Sequence, residues 1–167
     1  RQEIADQERI AIYGASFGGY AALAGLVKNP DLYACGVSYS GIIDIIAFLK
    51  SVPPYWQPFR EMLFEMVGDP AKDLEMMKEN SPRYHPEKII APVFIAQGGN
   101  DPKVPTEMTE KFIQILKKNG VQVKYMFKEN EGHGFKNEEN KIEFYSELEK
   151  FLSEHLRGRK SSLASKR

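Results

Sequence analysis

Five residues restrict this chain more than any others: Gly14-Ala15-Ser16-Phe17-Gly18, a Gly-x-Ser-x-Gly pentapeptide between the apolar run Ile10-Ala11-Ile12-Tyr13 and a helix-forming stretch. A serine held on a sharp strand-to-helix turn carries a strained backbone, and small neighbours two residues to either side keep side chains out of the strand and the helix. Such a turn lifts the hydroxyl above the end of a sheet. It also leaves the amide of Phe17 at a helix N-terminus, where a developing oxyanion can sit. The pentapeptide alone is equally compatible with a flexible glycine turn, so the reading depends on the rest of the chain.

Two further residues complete a pattern in the order Ser, acid, His. The apolar run Pro92-Val93-Phe94-Ile95-Ala96 leads into Gln97-Gly98-Gly99-Asn100-Asp101-Pro102, which places Asp101 in the loop at the carboxyl end of a strand. A second strand, Val121 to Phe127, runs into Glu131-Gly132-His133-Gly134-Phe135 and places His133 on another loop at the same edge. Catalytic groups of open α/β sheets collect at that edge. A serine hydroxyl is a poor nucleophile at neutral pH, so His133 is expected to take its proton as general base and return it to the leaving group. Asp101 would orient the ring and stabilise the imidazolium without taking the proton itself. For Asp101 alone the simpler reading is an Asx turn before Pro102; beside Ser16 and His133 that reading loses. His155 ends an amphipathic helix, and His85 lies in a turn-rich segment between Tyr84 and Pro86. Asp44, Asp69 and Asp73 read as caps or first-turn charges.

With these residues in place the chain resembles the carboxyl-terminal part of the catalytic domain of the prolyl oligopeptidase family of serine peptidases, in its acylaminoacyl-peptidase and dipeptidyl-peptidase branches. Four blocks carry the likeness: Arg9 to Tyr20; Ser81-Pro82 ahead of Ile89-Ile90-Ala91-Pro92; Gln97 to Pro105; and Glu131 to Phe135. The separations of 85 positions from Ser16 to Asp101 and 32 from Asp101 to His133 suit that family too. The resemblance implies an α/β-hydrolase fold, a mostly parallel sheet with helices on both faces, here without its amino-terminal strands. It also implies a peptide substrate and an oxyanion site using the Phe17 amide, with a second donor upstream. Family members usually carry arginine two residues after the acid, where it is thought to meet a substrate carbonyl. Here Lys103 keeps the charge but loses the planar fork.

Length fits a part rather than a whole. The 167 residues suffice for one core, but a complete domain of that family is longer and the first residue is Arg1 rather than methionine. An upstream part is therefore expected, with Asp6 as the remnant of a connecting segment. A chain that began at Arg1 would leave the nucleophile strand as an exposed apolar edge, open to pairing with another copy.

Charge and cysteine count act by exclusion. Lysine plus arginine and aspartate plus glutamate both number 23, so no basic footprint suggests nucleic acid. No apolar run reaches membrane-span length, and the longest, Gly41 to Leu49, is interrupted by Asp44. The single Cys35 excludes an internal disulfide and reads as a small packed residue. Metal-ligand spacing is absent, and no cofactor is expected. A cytoplasmic setting is slightly favoured, with an extracytoplasmic one open because any signal would lie upstream of Arg1.

The organisation predicted is one domain over residues 1–157 and a disordered basic tail over 158–167. A helix over Phe17 to Lys28, stopped by Asn29-Pro30, leads to a strand over Ala34 to Ser38. Short helices broken by proline follow, at Ile42 to Lys50, Trp56 to Met66 and Ala71 to Lys78. Thr106 caps a helix to Lys118, closed by Gly120, and Glu138 to Leu156 forms the last. By family position the substrate pocket falls on Tyr39, Ser40, Gly41 and Ile42 and around Trp56, Tyr55 and Phe59, with Lys103 and Val104 from the acid loop; residue by residue, an aromatic at helical spacing is more often core. The function expected is a serine peptidase acting on short peptides through an acyl-enzyme on Ser16. The alternatives are a carboxylesterase or other acyl hydrolase, and an inert fragment serving as an interaction module.

Overall fold

The segment Val93–Gly98 is buried along its whole length, which requires apolar cover on both faces. A strand places successive side chains on opposite faces, and this one divides accordingly. Val93 and Ile95 pack with Leu23, Leu26, Phe112, Ile113 and Leu116. Phe94 and Ala96 pack with Phe144, Leu148 and Phe151 on the other side. A strand covered on both faces is the expected centre of a parallel sheet.

The computed structural model describes residues 6–52 and 54–156. Four strands, β1 (Ala11–Ala15), β2 (Cys35–Tyr39), β3 (Val93–Gly98) and β4 (Val123–Lys128), form one sheet in the order β1-β2-β3-β4, with every pairing parallel. Helices α1 (Phe17–Lys28) and α5 (Thr106–Lys118) follow β1 and β3 and share one face. Right-handed crossovers that move the same way across a sheet must lie on the same face. The final helix, α6 (Glu138–His155), follows β4 and covers the opposite face through Phe144, Leu148 and Phe151. The sheet thus has helices on both faces, as the sequence implies. Lys124 of β4 pairs with Glu147 of α6, and Lys150 meets the same carboxylate at 2.6 Å. Those two ammonium groups hold the Glu147 carboxyl down at about 2.

Between β2 and β3 lie α2 (Ile45–Lys50), a 3-10 turn (Pro54–Phe59), α3 (Arg60–Val67), α4 (Leu74–Glu79) and two short 3-10 turns, Pro82–Tyr84 and Pro86–Lys88. This layer has its own cluster, in which Ile42, Ile45, Ile46 and Leu49 meet Met77 and Val104. The helix anticipated from Ile42 starts three residues later because Asp44 caps it, accepting hydrogen bonds from the amides of Ile46 and Ala47. Arg83 then donates to the other oxygen of Asp44 at 2.8 Å, tying this layer to the turn before β3. The helix anticipated over Trp56 to Met66 is divided at Phe59, since Pro58 has no amide to donate. Thr106 is the first helical residue of α5 rather than its cap, and Pro105 takes the cap position. The tail anticipated over 158–167 lies outside the described residues, as do Pro53 and residues 1–5.

Candidate active site

Ser16 occupies the single residue between β1 and α1 with φ 57° and ψ −120°, a positive φ that costs a non-glycine residue about 1–3 kcal/mol. The amide of Ser16 donates to the Tyr39 carbonyl at 2.9 Å, and its own carbonyl accepts from Tyr20 to begin α1. The amides of Phe17 and Gly18 are left without intrahelical partners, as at any helix start. The two glycines of the pentapeptide serve each other unequally. A Cβ on Gly14 would fall 2.1 Å from the Gly18 carbonyl oxygen, whereas one on Gly18 would meet nothing within 4 Å. Gly14→Ala is therefore expected to destabilise the protein by at least about 2 kcal/mol through forced backbone movement. Gly18→Ala should stay within about 1 kcal/mol of the parent, because alanine suits a helix better than glycine. Urea unfolding of the two variants checks this; equal losses would show that the close approach is not what requires glycine.

The acid comes from the loop after β3. Its side chain is wholly buried, and its Oδ1 accepts from the amides of Lys103 at 2.8 Å and Val104 at 3.1 Å. Buried Gln97 donates to the Val104 carbonyl at 2.6 Å and fixes the far side of the loop. The second carboxylate oxygen, Oδ2, is left for a partner across the edge of the sheet.

That partner has far to travel. With neighbouring strands about 4.8 Å apart, the end of β4 lies roughly 14 Å from β1, so the loop after β4 must turn back over the ends of β3 and β2. It does so on main-chain supports. Asn100 donates to the Glu131 carbonyl at 2.8 Å. The Gly134 amide donates to Ser40 Oγ at 3.3 Å, and the Phe135 amide donates to the Tyr39 hydroxyl. Gly134 has φ 93°, a turn only glycine makes without strain. Hung in this way, His133 places Nδ1 2.8 Å from Asp101 Oδ2 and Nε2 2.7 Å from Ser16 Oγ.

Three side chains, separated by up to 117 positions, thus form one continuous hydrogen-bonded line from a buried carboxylate to a strained serine. Chemically, such a line can move a proton off a hydroxyl while the carboxylate holds the ring in a single tautomer. The Phe17 amide stands beside it at the positive end of α1.

The remaining residues read from the sequence as substrate-facing separate into two groups. Lys103 and Trp56 are partly exposed and meet each other, the ammonium lying 5.3 Å from the indole centroid. Ile42 and Val104 are 4 % and 3 % exposed and turn into the cluster beneath α2. Tyr39 stacks on Phe144 with centroids 4.5 Å apart and spends its hydroxyl on the His133 loop. Sequence reasoning missed the supports themselves: Gln97, the Ser40 hydroxyl and the Glu131 side chain. A carboxylate immediately before a Gly-His-Gly turn, two residues ahead of its histidine, was the one available signal. Among the described residues no cluster of three or more ligating side chains is placed to hold a metal ion, and no helix is long and apolar enough to cross a membrane.

A parallel sheet flanked by helices, with a serine on the tight turn after one strand and a carboxylate and an imidazole on loops at the same edge, defines the α/β-hydrolase class. Residues 1–159 match the model of the prolyl oligopeptidase family, and the chain belongs to that family. It is 38% identical over 161 residues to dipeptidyl aminopeptidase BIII of Pseudoxanthomonas mexicana, covering 95% of this chain and 23% of that protein. It is 35% identical to dipeptidyl peptidase family member 6 of Caenorhabditis elegans, covering 93% of this chain and 21% of the relative. In three dimensions it superposes on a puromycin-hydrolyzing peptidase of Mycobacterium tuberculosis with a TM-score of 0.84 at 30% identity, over 92% of this chain and 23% of the other. The chain therefore spans less than a quarter of the length of these relatives.

Proposed function

We propose that this chain carries the catalytic residues of a serine peptidase that cleaves short peptides through an acyl-enzyme on Ser16. The observation that supports it most directly is the pair of hydrogen bonds His133 makes, 2.7 Å to Ser16 Oγ and 2.8 Å to Asp101 Oδ2.

In the first half-reaction His133 Nε2 takes the hydroxyl proton as Ser16 Oγ bonds to the scissile carbonyl carbon. The carbonyl oxygen becomes an oxyanion that accepts from the Phe17 amide. Asp101 stays ionised, held by the Lys103 and Val104 amides, and stabilises the imidazolium. That imidazolium then protonates the departing amine as the C–N bond breaks, leaving an ester on Ser16. Water, deprotonated by His133, attacks the ester and restores the hydroxyl. Lys103 of the acid loop and Trp56 beside it, both partly exposed, are assigned to substrate contact, with Lys103 offering a point charge to a peptide carbonyl. The peptide class of substrate is also favoured by the names of the relatives, which are aminopeptidases and peptidases.

An aminoacyl p-nitroanilide and the matching p-nitrophenyl ester, offered to the full-length natural protein, test this reading. Turnover of both substrates is expected. Cleavage of the ester alone would limit the protein to acyl hydrolysis, because an amine leaving group demands the proton from His133 and a nitrophenolate does not.

A further inference from the structure

Glu131 stands two residues before His133, with its carboxylate buried at 4 % exposure. Three N–H donors converge on it. The Lys136 amide donates to Oε2 at 2.7 Å, and the Asn137 amide and the Asn140 side-chain amide donate to Oε1 at 2.9 and 2.7 Å. The same residue's carbonyl accepts from Asn100, the neighbour of Asp101. Glu131 therefore touches both loops: its main chain holds the acid loop, and its side chain closes a ring of residues 131–136 that contains His133.

Starting α6 does not require this carboxylate. Asn137 caps the helix itself, accepting from the Asn140 amide at 3.1 Å, and Phe144, Leu148 and Phe151 anchor the helix to the sheet. The side chain of Glu131 instead joins the two ends of the imidazole-bearing loop where it turns back across the sheet. We propose that Glu131 is a positioning residue for His133, its carboxylate clasping residues 136, 137 and 140 so that Nε2 is held within hydrogen-bond reach of Ser16. This rests on the reading of Ser16, His133 and Asp101 as one proton relay.

The chemistry of the clasp calls for a carboxylate. All three partners are donors, and glutamine would set its own NH2 against at least one of them, leaving buried donors facing each other. The loop would then relax at its base while β4, α6 and the acid loop stayed in place. Displacement of a reacting group by about 1 Å can cost on the order of 100-fold in rate.

The test uses Glu131→Gln and Asn140→Ala in the full-length natural protein, alongside Ser16→Ala. For Glu131→Gln, kcat with an aminoacyl p-nitroanilide is expected to fall by about 10- to 100-fold, with KM close to that of the parent. The low-field proton resonance of the imidazole N–H facing Asp101 should broaden or shift. Asn140→Ala, which removes one donor of three, should show a smaller fall of the same kind. A folded Glu131→Gln protein with the parent's kcat and an unchanged low-field resonance would overturn the proposal. So would a fall in kcat matched by the fraction of molecules unfolded in the assay. Where Glu131→Gln does not fold, an unchanged kcat in Asn140→Ala overturns it. Retained turnover in Ser16→Ala would instead refute the relay, so the two failures are told apart.

Discussion

Ser16→Ala is expected to abolish labelling by a fluorophosphonate probe at that position and to lower peptide turnover by on the order of 10⁶-fold. The argument is local. In the structure Ser16 Oγ is the group in line with His133 Nε2, at 2.7 Å, and the strained backbone that presents it is supported from outside the side chain. The Ser16 amide is held by the Tyr39 carbonyl, and the Ser16 carbonyl by the Tyr20 amide, so alanine leaves the turn and its thermal stability largely as they are. Mass spectrometry of the labelled protein locates the adduct, and a thermal melt verifies the fold. Turnover that survives in the well-folded variant would remove Ser16 from the reaction.

Asp101→Asn is expected to cost about 10⁴-fold in kcat/KM, and the structure gives the reason in terms of which oxygen does what. Oδ1 of Asp101 accepts from two backbone amides, those of Lys103 and Val104, while Oδ2 faces His133 Nδ1. Asparagine has one carbonyl oxygen, and the two amides will claim it. Its NH2 must then face Nδ1, which can accept only if the ring proton moves to Nε2. The imidazole would present a proton to Ser16 instead of a lone pair. Residual activity should rise with pH as hydroxide replaces the missing base, and the unfolding midpoint should change little. A variant with parental kcat/KM would show that the orientation of the ring does not depend on this carboxylate.

What could be read in the sequence follows from how local each determinant is. The helix Phe17–Lys28 was legible at both ends and Thr106–Lys118 at its carboxyl end, because Pro30 and Gly120 sit next to them and their apolar spacing is uninterrupted. The strands shifted by only one or two residues, since apolar runs mark burial better than they mark the last ladder bond. The segment between β2 and β3 was less legible: Asp44 delays α2, Pro58 divides the next helix, and Asp73 takes the cap position of α4, whose first residue, Leu74, lies three residues beyond the anticipated start. Ser16, Asp101 and His133 could be singled out because each sits just past an apolar run in a glycine- or proline-marked turn. Their supports could not. Ser40 meets Gly134 across 94 positions and Tyr39 meets Phe135 across 96, distances over which no short motif speaks. The unequal roles of Gly14 and Gly18 were hidden for the same reason, since only the path of the backbone shows which of the two would carry its Cβ into the other.

Among the described residues the sheet runs in sequential order, with β1 and β4 at its two flanks, and Ser16 and His133 hang from one each. The hydroxyl belongs to one flank and the imidazole to the other, so their 2.7 Å contact sums every spacing between them. A slip of a single residue between any two neighbouring strands displaces one partner by about 3.3 Å, more than the length of the bond. Under the proposed function, the turnover rate would therefore gauge lateral alignment across these four strands, sensitive to shears that leave helix and strand content untouched.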